Sequence, residues 1–406
     1  MVKSNIHKFF VLFSLYVAQA IPMSFFSTIV PVIMRQEQYS LELIGLIQLV
    51  KLPWIAKFLW APYIDRFTNT SSDYRRWIFT SEIFYAIIIF SIGFLSLDTN
   101  FTLIIFLVII AFIASATQDI ATDAYAILLL KKKERGFGNS MQSSGSFVGT
   151  LVGSGILLVI YHYYGWQLLL FGLSIFVLIA LIPLVLFKKK GEIQKVETTR
   201  ASLKDIASFF TQKSIFGHIL LLFFFYSGII GLLAMLKPYL VDIGFNAKDI
   251  GIISGIIGTS SAALAAIASG WIVKRFDRQK IMSVFLLMSL LISLFFICIT
   301  YQPLGSTFIY IGIIFLWITY GMSTVVIYTT AMDRVRPGKE GTDFTIQIVL
   351  THLSSLIIAS SSGFIASSLG YRGLFYLESI LVLITFAILF IFRSHIFNYE
   401  RSEVTI

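Results

Sequence analysis

Two aspartates four residues apart, Asp119 and Asp123, stand inside an otherwise almost wholly apolar stretch from residue 102 to 130. On a helix that spacing puts both carboxylates on one face. Counted back from Lys131 at about 1.5 Å per residue, Asp119 lies about 18 Å and Asp123 about 12 Å inside the stretch. A carboxylate so deep in hydrocarbon costs roughly 2.5–3.5 kcal/mol on insertion scales, so each needs water, a proton or a cation. Gln118, Thr122 and Tyr125 extend the pair into a polar patch. Such a patch can hold a polar solute or exchange a proton, and a structural ion pair is the competing reading.

Lys51 is the expected cation. A pair between Lys51 and Asp119 or Asp123 lowers the burial cost, and a proton or anionic substrate can break it. Lys57 is expected to snorkel toward the cytoplasmic edge. Gln142 and Gln347 offer neutral hydrogen bonds to a cargo, and His352 can titrate near neutrality or join two helices. Glu82, close behind Arg76, reads as interfacial, while Glu378 lies deeper with no evident mate. Catalytic chemistry finds no support. The five histidines are scattered, no nucleophile has a base beside it, and no Gly-rich phosphate loop carries a lysine. Cys298 alone makes neither a disulfide nor a cysteine metal site, so no metal or cofactor is expected.

The elements that must position these residues are membrane helices. Of 406 residues, 57% are hydrophobic and 13% charged, against about 45–50% and about 25% in soluble domains. That composition excludes a soluble globular protein. At roughly 20 apolar residues per crossing, the chain divides into twelve spans, at 9–34, 41–64, 77–97, 102–130, 139–161, 166–187, 215–240, 249–272, 281–300, 306–332, 344–368 and 373–393. The expected fold is an all-α integral membrane protein of two six-helix bundles, 1–187 and 214–406, joined by a basic cytoplasmic linker, 188–213. Ala18-Gln19-Ala20 resembles a signal cleavage site, but the apolar run continues to Met34, so cleavage is not expected. With both termini cytoplasmic, the non-cytoplasmic side keeps only Arg35, Lys237, Lys248 and Arg372. The net charge of +10 therefore reads as orientation rather than as a nucleic-acid surface.

The halves repeat. Gly136 to Gln142 follows the fourth span and Gly341 to Gln347 the tenth. Gly145, Gly149 and Gly153 recur every four residues and should let a neighbouring helix approach closely. Two loops match as well: Asp65-Arg66 with Arg75-Arg76 after the second span, and Asp277-Arg278 after the eighth, where Lys274 replaces an acid. Both resemble the conformational loop of the major facilitator superfamily, Gly-x3-Asp-Arg-x-Gly-Arg-Arg.

Denser similarity runs through residues 10 to 185. Lys51-Leu-Pro-Trp-Ile-Ala-Lys-Phe-Leu-Trp-Ala-Pro-Tyr-Ile-Asp65-Arg66, then Gln118-Asp119-Ile-Ala-Thr-Asp123-Ala-Tyr125, then Glu134-Arg135-Gly136 and Gly165-Trp166 resemble the AmpG-like permeases. These are major facilitator proteins related to acetyl-coenzyme A transporters and single-chain siderophore importers. The resemblance implies a proton-driven importer in a bacterial inner membrane, acting as a monomer on a small polar solute such as an anhydro-muropeptide. A siderophore is the alternative cargo. A non-transporting receptor and a membrane enzyme are the alternatives of other classes.

Overall fold

The computed structural model describes residues 2–36, 38, 51–187, 200–302 and 305–397, and among them no strand occurs. The start of the second expected span and residues 188–199 of the expected linker lie outside the described residues. The chain divides into two compact units, Met1–Ile206 with Val335–Thr345, and Ala207–Arg334 with Ile346–Ile406.

In the first unit α1 (Val2–Ser24) passes through a π-helical turn, Phe25–Ile29, into α2 (Val30–Gln36). Then come α3 (Leu52–Ala56), a 3-10 turn at Lys57–Leu59, α4 (Ala61–Arg66), α5 (Ser71–Ile92) and α6 (Leu97–Leu129). After α7 (Arg135–Leu151) a second π-helical turn, Val152–Ile156, leads into α8 (Leu157–Ile179) and α9 (Ile182–Leu186). Short α10 (Lys204–Phe210) straddles the boundary between units. The second unit holds α11 (Ile215–Phe224), α12 (Ser227–Asp242), α13 (Ala247–Ile250), α14 (Thr259–Arg275), α15 (Arg278–Tyr301) and α16 (Ser306–Asp333). It is completed by most of α17 (Glu340–Ile391) and by α18 (Arg393–Phe397).

Among the described residues, eight helical stretches are long and apolar enough to cross a bilayer. The difference from twelve has local causes. The third expected span falls in α5, which opens Ser71-Ser72-Asp73-Tyr74-Arg75-Arg76 and carries Glu82. The fifth falls largely in α7, rich in Gly, Ser, Asn and Gln. The last two are run together in α17, whose helical geometry breaks at Gly370. Gly370 has φ 70° and Gly165, inside α8, has φ 71°. Their ψ values of 171° and −177° complete a conformation that side chains exclude, so only glycine supports either break. The two glycines are as far apart in sequence as Gln142 and Gln347, which extends the internal repeat.

Glycine also sets helix packing. A Cβ at Gly145 would lie 2.8 Å from the Phe13 carbonyl oxygen, at Gly149 2.6 Å from the Ala20 Cβ, and at Gly153 2.4 Å from the Ile21 carbonyl oxygen. The expected close neighbour is therefore α1, whose backbone lies against this stripe. Gly149→Ala is expected to force the two helices apart and destabilise the protein by about 1–3 kcal/mol, the usual cost of overpacking. Thermal unfolding in detergent checks it. Below the seam Phe25, Phe26, Tyr85, Phe112 and Leu170 fill a buried apolar core.

Segment Val335–Thr345 joins the first unit through polar contacts. Lys339 Nζ donates to Asp205 Oδ2 at 3.0 Å, and Arg336 binds Asp343 at 2.6 Å and approaches Asp205 at 4.0 Å. Burial alone would raise the Asp205 carboxyl. The Lys339 hydrogen bond, the Ser202 amide and the charges of Lys339 and Arg336 outweigh it and hold this group below its ordinary value.

Candidate functional site

Gln118, Asp119, Thr122 and Asp123 recur at helical spacing on α6 and are all buried. Lys57 Nζ forms an ion pair and hydrogen bond with Asp119 Oδ2, and the two side chains are 1% and 5% exposed. The indole of Trp54 adds a cation–π face 4.8 Å from the ammonium. One turn along α6, the hydroxyl of Tyr16 on α1 and the Nε2 of Gln142 on α7 both donate to Asp123 Oδ1, the latter at 3.3 Å. Gln19 on α1 donates to Gln118 Oε1. The aspartates thus have separate partners: a cation for Asp119, neutral donors for Asp123.

Several neighbouring groups are left over. Gln118 Nε2, Thr122 Oγ1, Gln142 Oε1 and Ser143 Oγ are buried without a hydrogen-bond partner. Each such group costs about 1–3 kcal/mol unless something satisfies it, so their concentration beside an ion pair suits a polar solute or a proton pathway. No cluster of His, Cys, Asp and Glu among the described residues could hold a metal.

The structure corrects four sequence expectations here. Lys57, in the 3-10 turn after α3, pairs with Asp119, the role expected of Lys51: depth along the apolar run does not say which side chain faces α6. Lys57 does not snorkel to an edge, because its side chain is enclosed. Tyr125 faces Arg75 instead of joining the carboxylates. Glu82, read as interfacial, is fully buried.

Of the two matching loops, the first is more elaborate. Buried Asp65 accepts from the Tyr74 hydroxyl at 2.5 Å, the Gly341 amide at 3.0 Å, and the Thr342 amide and hydroxyl, both at 2.7 Å. Arg66 is exposed. Arg75 donates to the Leu184 and Phe187 carbonyls, and exposed Arg76 pairs with Asp73 at 3.3 Å. In the second loop Asp277 caps its own helix through the Gln279 and Lys280 amides, while Arg278 pairs with Asp333 at 3.1 Å. With Lys274 in place of an acid, this copy has no counterpart of the Asp65 contact.

In the second unit the Gln347 side chain meets His218 Nε2 at 2.6 Å and donates to the Ala331 carbonyl at 3.1 Å. The repeat is therefore topological and not chemical: Gln142 serves a carboxylate, Gln347 a histidine. His352 is half-buried on α17 of this unit. His218 carried no sequence signal beyond being an apolar-span histidine.

Helical architecture and a polar cluster inside an apolar bundle suit a solute carrier, and residues 12–359 match the Major Facilitator Superfamily. The chain belongs to that superfamily. This Major Facilitator protein is a multi-pass membrane transporter of a small solute, and not an enzyme. It is 23% identical over 391 residues to the anhydromuropeptide permease of Escherichia coli K12, covering 95% of this chain and 79% of that one. It is 26% identical to putative transporter AmpG 3 of Rickettsia typhi, covering 92% and 93%. Among solved structures, the Escherichia coli fucose:proton symporter superposes with a TM-score of 0.73 at 15% identity, covering 97% and 99%. That likeness concerns the fold.

Proposed function

We propose that this transporter is a proton-coupled importer of anhydro-muropeptides, disaccharides bearing a peptide, across a bacterial inner membrane. In this reading twelve spans form two six-helix bundles with both termini in the cytoplasm, the monomer works by alternating access, and the cargo binds near the midplane. The observation that carries it is the buried ion pair Lys57–Asp119 beside four partnerless polar groups. A cargo with hydroxyl, amide and carboxylate groups can satisfy those donors and acceptors, and its charge or a proton can compete for the ion pair. Similarity to the Escherichia coli permease over nearly the whole chain supports the same cargo class. Asp65, Arg66, Arg75 and Arg76, with Asp277 and Arg278, are proposed as loops that distinguish transport states.

Radiolabelled anhydro-muropeptide uptake, compared in cells with and without this gene, tests the reading. Uptake is expected to depend on the gene, to collapse with a protonophore and to resist competition by ferric siderophore. Equal uptake in the deletion strain would overturn the cargo, and siderophore-dependent growth in its place would assign the other one.

A further inference from the structure

Another buried acid lies in the second unit. Glu378, on α17 beyond the Gly370 break, is fully buried; the Gly231 amide lies beside its carboxyl, but neither oxygen accepts a well-aligned hydrogen bond. It fits a notch in α12. A Cβ at Gly231 would lie 2.0 Å from Glu378 Oε1 and 2.7 Å from Ser362 Oγ, and one at Gly228 would strike Val382. The notch adjoins the interruption between α11 and α12 at Phe225 and Tyr226. Carbonyls at that interruption are well supplied with hydroxyls: Thr385 donates to Phe224 at 3.0 Å, Ser227 to the same oxygen at 2.6 Å, and Ser354 to Phe223. Among the described residues, Glu378 has only the Gly231 amide beside it.

Among the described residues, no cation or second acid offsets it. Helix α12 presents Gly228 and Gly231, the first part of α17 presents Ser362, and neighbouring Ser379 is bonded to Ser293 of α15. No charged or titratable side chain of these elements interacts with the carboxyl. Ser362 has already committed its hydrogen to the Ile358 carbonyl at 2.6 Å, so toward Glu378 it has only lone pairs to offer. A carboxylate there would therefore gain no donor from Ser362. An unpaired ionised carboxylate is also far costlier to bury than the neutral acid.

We propose that Glu378 is a proton-binding site of the second unit, loading a proton from water on one side of the membrane and releasing it to water on the other. Its role in driving transport rests on the importer reading above, while its holding a proton does not. The acid form closes into the glycine notch, and the anion forms when water reaches the notch. Lys57–Asp119, already charge-balanced, then remains available to the cargo.

The test uses the full-length protein in liposomes, with two readouts. The first is the infrared carbonyl band of protonated carboxylic acids near neutral pH, expected in wild type and diminished in Glu378→Gln, which keeps the shape of the acid. The second is uptake of anhydro-muropeptide. A gradient of about one pH unit sustains about tenfold accumulation at one proton per solute. Glu378→Gln is expected to equilibrate solute and keep exchange counterflow without accumulating. Wild-type accumulation in Glu378→Gln, or an unchanged infrared band, would overturn the proposal. If Glu378→Gln fails to assemble, Glu378→Asp decides: a shifted band with accumulation retained supports the site, and an unshifted band overturns it. If wild type moves no muropeptide, the importer reading fails while the infrared result still decides whether Glu378 holds a proton.

Discussion

Lys57→Ala is expected to lower the melting temperature sharply and abolish uptake, whereas Lys57→Met combined with Asp119→Asn recovers the melting temperature and not the uptake. The single change leaves the Asp119 carboxylate, 5% exposed, with no cation. Breaking a buried pair from one side costs about 3–5 kcal/mol, while replacing both partners by neutral groups of similar volume is often nearly neutral. Asp119→Asn alone strands the ammonium, but the Trp54 ring 4.8 Å away retains part of its stabilisation, so a smaller loss is expected. Lys51→Ala, at a half-buried position, should cost less than either. Thermal melts and uptake on the same preparations separate the two contributions. A double variant that transports like wild type would show that the pair is structural.

That Lys57 and not Lys51 carries this prediction marks how far the sequence can be read. Composition and the length of apolar runs were enough for a helical membrane protein, because both are set by the bilayer and not by tertiary packing. Spacing was enough to put Asp119 and Asp123 on one face, because α6 is regular through that region. Depth did not separate Lys51 from Lys57, because position along an apolar run does not say which side chain faces α6. Burial was equally hidden. Glu82 stands only six residues from Arg76, yet tertiary packing encloses it completely. The pairing of Gln347 with His218 depends on which helices meet, which a one-dimensional pattern does not specify. The glycine stripe of α7 was legible as a seam, but not the identity of its partner, α1.

Asp65→Ala is expected to be the most damaging change outside the membrane cluster, with Asp65→Asn nearly as severe. The carboxylate collects four donors: two amides and a hydroxyl at the start of α17, and the Tyr74 hydroxyl. First-turn amides have no intrahelical acceptor, and an anion there also meets the positive end of the helix dipole. Hydrogen bonds to charged groups contribute about 1.5–3 kcal/mol each and are not additive, so a loss of several kcal/mol is expected. Asparagine keeps one acceptor oxygen and turns its amide toward donors, exchanging attraction for repulsion. Gly341→Ala probes the same contact from the other side. Its new Cβ would lie 3.0 Å from Asp65 Oδ1 and from Ile120 Cγ2, so the carboxylate must shift and the amide bonds lengthen. Hydrogen exchange at residues 340–345 reads the outcome: faster exchange in Asp65→Ala, Asp65→Asn and, to a lesser degree, Gly341→Ala. Wild-type exchange at Gly341 and Thr342 in Asp65→Ala would mean that the helix end has another cap and that Asp65 is dispensable there.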